Sequence, residues 1–282
     1  MTSTAAHHPA APSATTYATE APGTTAASKV DPEALRASIQ EKYREVAINP
    51  NGSFHFHTGR PLAAILGYDQ QLVASLPDQA VESFAGVDNL FAIAPLGQDD
   101  RVVDLGSGGG FDVFVAAHLV GPGGYVIGVD MTQEMLDKAR STASSLELDH
   151  VEFREGILES LPIDDGWADV VIANGVLNLV ADKPQAFAQI RRILRPGGRI
   201  QFADIAVGRD VPEDAACNID LWTDCIAGAR TTRQWVQLLA DAGFEDIRVG
   251  PAVDTFADAA GEPNARAFGV QGHTFFARKP KR

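Results

Sequence analysis

Apolar positions along the chain change their spacing near residue 96. Before it they recur at helical intervals: in DPEALRASIQEKYREVA, Leu35, Ile39, Tyr43 and Val46 fall three or four residues apart. Asp31 can cap this helix, and Pro32 suits its first turn. A loop, INPNGSFHFHTGRPL, leads to GYDQQLVASLPDQAVESFAG, which reads as a second helical stretch. Beyond residue 96, short apolar runs at about 102–105, 125–130, 151–154, 169–173 and 199–204 read as buried strands with helical patterns between them. A helix at 231–243 and two further strands, FEDIRVG and HTFFARKP, follow. This alternation predicts an α/β fold, a largely parallel sheet with helices on both faces. Three segments result. Residues 1–29, mostly Ala, Thr, Ser, Pro and His, read as a disordered tail without a signal-peptide core. Residues 30–95 read as a helical cap contributing to a substrate site, and 96–282 as the α/β domain, carrying an irregular insertion at 207–230.

The first strand of that domain ends in an acid and breaks into glycines: VVDLGSGGGF, residues 102–111. Asp104 precedes Gly106, Ser107, Gly108 and Gly110, and FDVFVAAHLV continues as an apolar helix. A dinucleotide fingerprint, G-x-G-x-x-G, needs a third glycine where this chain has Phe111. The tighter spacing behind an aspartate suits a nucleoside carrying an amino acid, a description that fits S-adenosylmethionine. One βαβ unit later, YVIGVDM ends in Asp130, placed to accept both ribose hydroxyls, with Met131 beside it to cover the adenine. Asp130 would otherwise serve as a cap for the helix TQEMLDKAR. A turn at Gly156 in VEFREGILESLP offers the adenine edge. Ile157 follows it, so backbone groups or Glu155 would serve the adenine amine.

Charge and cysteine usage narrow the function classes. The 37 acids against 23 bases leave a net charge of −14, the wrong sign for a nucleic-acid partner. No apolar run approaches the roughly 20 residues of a membrane helix, so no membrane partner is expected. Cys217 and Cys225, eight apart on an expected helix, would lie roughly 12 Å from each other, too far for a disulfide. A cytoplasmic protein with a small-molecule substrate is the expectation, with oligomeric state left open.

The phrases DLGSGGGFDVFVAAHLVGPGGYVIGVDMTQEM, ANGVLNLVADK, RILRPGGRI, DCIAGA and LADAGFEDI together resemble the class I S-adenosylmethionine-dependent methyltransferases, and specifically their arsenite methyltransferase branch, over about residues 61–250. The resemblance implies a Rossmann-like sheet of seven strands with an antiparallel last strand. It also implies cofactor contacts at Asp104, Gly106, Asp130, Met131 and Asn174. The chain departs from that branch in one respect. The arsenic enzymes have Asn-Cys where this sequence has Asn174-Gly175, and a further cysteine in the cap, where this sequence has none. Of its two cysteines, only Cys225 sits at a family position for a metalloid ligand. Trivalent arsenic wants three soft sulfur donors, or at least two from the protein, so the expected acceptor is organic.

Two stretches could line the acceptor. In NGSFHFHTGRP, His55 and His57 alternate with Phe54 and Phe56 and so share one side of an extended chain. They could be loop residues over packed phenylalanines, a metal pair lacking a third ligand, or, with Arg60, donors to an anionic acceptor. In NIDLWTDCIAGAR, helical spacing would put Asp220 and Asp224 on one face, with Trp222 pointing elsewhere and Arg230 nearby. The resulting expectation is methyl transfer to a small, anionic and largely apolar molecule, in its boldest form an allylic prenyl diphosphate. Trp222 would then face a carbocation, Asp220 or Asp224 would take the proton, and Mg2+ would help neutralise the diphosphate; no protein-held metal is expected. Competing readings are a metalloid or thiol methyltransferase, a nicotinamide oxidoreductase, and a protein that binds the nucleoside without chemistry.

Overall fold

The computed structural model describes residues 15–16, 30–50, 52–209, 211, 222 and 227–282. The cap opens with α1 (Pro32–Ile48), whose N-terminal amides at Glu33 and Ala34 donate to the Asp31 carboxylate at 2.9 and 3.4 Å. The stretch expected to be a loop contains a helix, α2 (Gly59–Ile65), with Pro61 in its first turn, where a missing N–H costs nothing. The second expected helix is two short ones, α3 (Gln70–Ser75) and α4 (Asp78–Val81). Pro77 divides them, and Leu76 before it takes the extended backbone that a following proline imposes.

The sheet contains β2 (Arg101–Leu105), β3 (Tyr125–Asp130), β4 (Val151–Glu155), β5 (Ala168–Asn174), β6 (Leu194–Ala206), β7 (Glu245–Val253) and β8 (Gln271–Arg278). Their order is β4-β3-β2-β5-β6-β8-β7, and β8 is antiparallel to both its neighbours. This is the Rossmann-like arrangement of seven strands with the last antiparallel. From the tail, β1 (Thr15–Thr16) adds a two-residue antiparallel pairing to Val249 and Arg248 at the β7 edge.

The intervening helices are α5 (Phe111–Val120), α6 (Gln133–Ser145), α7 (Lys183–Ile193), α8 (Thr232–Asp241) and α9 (Glu262–Phe268); the last had no counterpart in the sequence reading. Alternate strand residues feed two apolar layers. Val102, Val126, Val170 and Ile172 pack with α5 and the cap, while Val103, Ile127, Val129 and Val171 pack with α7 and α8. The strand order reverses between β2 and β5, so their C-terminal tips diverge and leave a crevice there. None of the described helices is long and apolar enough to cross a membrane.

Candidate functional site

At the tip of β2, Gly106, Gly108 and Gly110 all take left-handed backbone, with φ of 65°, 51° and 92°. Alternate glycines are thus required by the turn itself. The loop is tied to β3: the Gly106 and Ser107 amides donate to the Val129 carbonyl, and the Gly108 amide donates to Asp130 Oδ2 at 2.8 Å. A side chain at Gly106 would strike Val176 at 2.6 Å. At Gly108 it would meet nothing closer than the Met135 sulfur, 3.9 Å away, and would project into the crevice. Ser107 Oγ is buried there with no hydrogen-bond partner. An open glycine cradle with an orphaned hydroxyl fits the amino-acid end of S-adenosylmethionine.

Three carboxylates, Asp104, Asp112 and Asp130, line the same cleft. Asp130 also accepts from the amide of Thr132, the N-cap residue of α6, at 2.8 Å, so it ties the start of that helix to the glycine loop. Asp112 accepts from the Tyr68 hydroxyl at 2.8 Å and from Asn174 Nδ2 at 3.0 Å. Burial raises the pKa of Asp104 well above the usual range, and its neighbours Asp112 and Asp130 reinforce the shift. Burial likewise pushes Asp112 up to about 6, against the lowering effect of the Asn174 and Tyr68 hydrogen bonds, and raises Asp130. Clustered, poorly solvated anions favour a cation between them, and S-adenosylmethionine brings an ammonium and a sulfonium. A raised pKa means these groups take up protons in mild acid. Cofactor affinity is therefore expected to be full well above pH 6 and to fall as pH drops through about 6, by up to roughly tenfold per pH unit for each proton bound. Titration calorimetry across that range checks it; a flat profile would mean the carboxylates do not meet the cofactor.

The cleft has an empty volume of about 1130 Å³, counting its solvent-open part. Gly156, Ile157, Leu158 and Glu159 line one end, Met131 and Thr132 the middle, and Asn174 to Val176 the far side. Glu155 is exposed and lies off this wall, and Glu159 is the acid that lines it. The apolar stripe of α1 forms the roof through Pro32, Leu35, Ile39 and Tyr43. It is held by Gln40 Nε2 donating to the Met131 carbonyl and by an Arg44–Glu134 ion pair at 2.9 Å. Asn174 lines the cleft with its amide already engaged. Its Nδ2 donates to Tyr68, Asp112 and the Asp88 carbonyl, and its Oδ1 accepts from the Val87 amide, pinning the cap to β5.

A smaller pocket of about 20 Å³, room for a water or two, shares Tyr43, Ala85, Gly86 and Gly175 with the cleft and is otherwise lined by Phe56, His57, Leu62, Val87, Ile205, Thr255 and Phe256. Of the residues expected at the acceptor, His57 reaches it. His55 packs against Gly261, its carbonyl accepting from the Gly261 amide, and its ring meets Phe56 edge-on at 4.5 Å. Arg60 turns away from both cavities: it pairs with Asp78 at 2.8 Å and donates to the Val73 and Leu76 carbonyls, tying α2 to the end of α3. Trp222 is buried off the cleft, with the Lys183 ammonium 5.0 Å from its ring centroid. Arg230 donates to the Gly228 and Ala229 carbonyls. Asp220, Asp224, Cys217 and Cys225 lie outside the described residues, and among the described residues no His, Cys, Asp or Glu group could hold a metal ion. The sequence reading missed Asp112, Tyr68 and Arg36. Asp112 carried a signal, an acid in the first turn of the helix behind the glycines; Arg36, paired with Glu159 at 3.6 Å on the cleft wall, carried none.

A glycine turn at the sheet's reversal point, an acid at the next strand tip and a cation-favouring cleft define a site for a sulfonium nucleoside, and the chain belongs to the class I S-adenosylmethionine-dependent methyltransferases. Residues 96–243 match the family described as "Methyltransferase domain". Within the class the chain is related to the arsenite methyltransferases. It is 36% identical to that of Halobacterium salinarum over 269 residues, 89% of this chain and 68% of that protein. It spans 45% of the length of the arsenite methyltransferase of Aquipseudomonas alcaligenes, at 37% identity over 53% of this chain. A crystal structure of an arsenic(III) S-adenosylmethionine methyltransferase from Chlamydomonas reinhardtii superposes with a TM-score of 0.63 at 31% identity, over 80% of this chain and 75% of that one. The 2-phytyl-1,4-naphtoquinone methyltransferase of Synechococcus elongatus is 31% identical over 60% of this chain and 73% of its own length. The protein is accordingly an enzyme with S-adenosylmethionine as its methyl donor.

Proposed function

We propose that the chain transfers the methyl group to a small, largely apolar organic molecule rather than to a metalloid. The observation that carries this reading is the described wall of the cofactor cleft. Among the described residues it holds no thiol, with Gly175 where the arsenite branch has cysteine. Both cysteines of the chain lie in the 212–226 region, so at best two thiolates could approach one arsenic, and only from a single segment. The relationship to a naphthoquinone methyltransferase supports an apolar ring as acceptor.

Bound S-adenosylmethionine supplies an electrophilic methyl group. The chain supplies alignment and dryness: α1 roofs the cleft, and the Tyr68–Asp112–Asn174 network fixes the cap against the tips of β2 and β5. Holding acceptor and methyl in line at close range is worth several kcal/mol by itself. The finer form of the proposal, an allylic prenyl diphosphate with Mg2+, calls for cationic donors at the acceptor. Arg60 and Arg230 are committed to backbone carbonyls, and residues 212–226 contain no Lys, Arg or His, so this form rests on Arg36.

Purified enzyme incubated with labelled S-adenosylmethionine and, separately, 2-naphthol, arsenite with glutathione, and geranyl diphosphate with Mg2+ tests the reading. Methylation of 2-naphthol is expected. Arsenite turnover abolished by Cys225→Ser would overturn it, and geranyl diphosphate turnover would select the finer form. Arg60→Ala is expected to lower the melting temperature while leaving the cofactor dissociation constant unchanged, because the guanidinium ties the cap together without touching the cleft.

A further inference from the structure

Two buried acids in the cofactor cleft have no cation to balance them. Asp104, at the tip of β2, is 2% exposed and lines the cleft. No described donor reaches its carboxylate, and its oxygens are not sealed in the core, so they open into the cleft. Asp112, the second residue of α5 and 5% exposed, is the like charge that acts most strongly on it. Asp112 is held differently. The hydroxyl of Tyr68, a cap residue between α2 and α3, donates to its Oδ1 at 2.8 Å, and the Asn174 amide donates to its Oδ2 at 3.0 Å. Around the pair, Asp130 at the tip of β3 adds negative charge, as does Asp88 of the cap, beside Tyr68. No arginine, lysine or histidine acts on either acid. Buried like charges without a counter-ion do not both stay ionised in mild acid, so one proton is kept between them. The donors decide where it sits: Asp112 has two and keeps the charge, while Asp104 has none and takes the proton.

We propose that Tyr68 is a positioning residue for the cofactor: its hydroxyl holds Asp112 ionised beside Asp104, and the two acids together receive the cofactor's ammonium group and release their shared proton as it enters. The exchange balances. The proton on Asp104 passes to solvent, and the ammonium, already charged at neutral pH, supplies the positive charge that replaces it. A cap residue thereby belongs to the cofactor site, acting through a carboxylate of the α/β domain. None of this depends on which acceptor is methylated. Tyr68→Phe removes the hydroxyl and keeps the ring, which packs edge-on against Phe84 at 5.4 Å and Phe111 at 5.0 Å. The Tyr68 hydrogen bond lowers the pKa of Asp112, so its loss lets Asp112 protonate at higher pH. Affinity for the ammonium, full above that pH, is then lost sooner as pH falls.

Calorimetry of the full-length enzyme tests this with two ligands: S-adenosylhomocysteine, which carries the ammonium, and 5′-methylthioadenosine, which lacks the amino-acid end. Titrations at about pH 6 in two buffers of unlike ionisation enthalpy count the protons. Wild type is expected to release roughly half to one proton per S-adenosylhomocysteine bound and none with 5′-methylthioadenosine. Tyr68→Phe is expected to move the pH at which half the S-adenosylhomocysteine affinity is lost upward by roughly one unit. Its affinity at about pH 6 should fall about tenfold and recover to within about threefold of wild type at about pH 7.5. Its affinity for 5′-methylthioadenosine should stay as in wild type. Asp112→Asn, which removes the charge outright, is expected to lose about tenfold for S-adenosylhomocysteine across the whole range and nothing for 5′-methylthioadenosine. Proton release equal for the two ligands, or absent from both, overturns the exchange. An unmoved half-loss pH in Tyr68→Phe, or equal weakening of both ligands, means that the hydroxyl only braces the cap and overturns its role.

Discussion

Replacing Asp130 with alanine is expected to weaken S-adenosylmethionine by about 2 kcal/mol, roughly 30-fold in dissociation constant. Two losses combine. On the proposed reading, the carboxylate accepts both ribose hydroxyls, and charge-assisted bonds of this kind are the strong ones. It also holds the Gly108 and Thr132 amides at 2.8 Å each, so its removal frees the glycine loop that forms the cradle. Asp130→Asn separates the two contributions: it retains an oxygen for one amide but loses the charge, and should fall between wild type and alanine. Calorimetric titration reads the result directly, and an unchanged dissociation constant for the alanine variant would falsify the ribose assignment.

The largest effect on stability is expected at Gly228. A Cβ there would lie 1.9 Å from the Asn178 carbonyl oxygen and 2.4 Å from the Trp222 ring. Neither neighbour can yield cheaply. The Asn178 oxygen accepts from Lys183 Nζ at 2.8 Å, its side chain bonds the buried Asp204, and the ring has the Lys183 ammonium against it. Gly228→Ala is therefore expected to destabilise by about 3 kcal/mol or more, lowering Tm by roughly 6–12 °C. Gly109→Ala is the control, since its Cβ would meet nothing closer than 3.7 Å; thermal unfolding of the two variants side by side decides the matter. Equal midpoints would show that the DCIAGA segment has room to relax.

These two positions differ in how far the sequence could speak for them. Asp130 ends an apolar run one βαβ unit after a glycine turn, a local pattern with a local chemical meaning. Gly228 was visible only as part of a phrase resembling a family. The clash that makes glycine necessary involves Asn178, fifty residues away in the chain, and no spacing rule encodes it. The strands were legible because a parallel sheet buried on both faces demands uninterrupted apolar runs, and β3 occupies the span expected of it. The cap was less legible. Pro77 divides a stretch whose apolar period is continuous, and α2 begins at Gly59, a residue that rarely opens a helix.

The acceptor side marks the boundary most clearly. By itself the sequence determined the α/β order, the glycine cradle, the acid at the β3 tip and hence the class of cofactor, because each depends on residues close together in the chain. It could not tell which histidine, arginine or tryptophan faces a ligand. Arg60 was a plausible anion donor until the fold placed Asp78 and two carbonyls around it, and Trp222 a plausible cation-stabilising face until it was buried against Lys183. Tyr68, Asp112 and Asn174 form one hydrogen-bonded network from positions as much as 106 residues apart. Only the tertiary structure decides such pairings. Whether a polar side chain serves a ligand or the fold depends on what packs against it, and that neighbour arrives from a distant part of the chain.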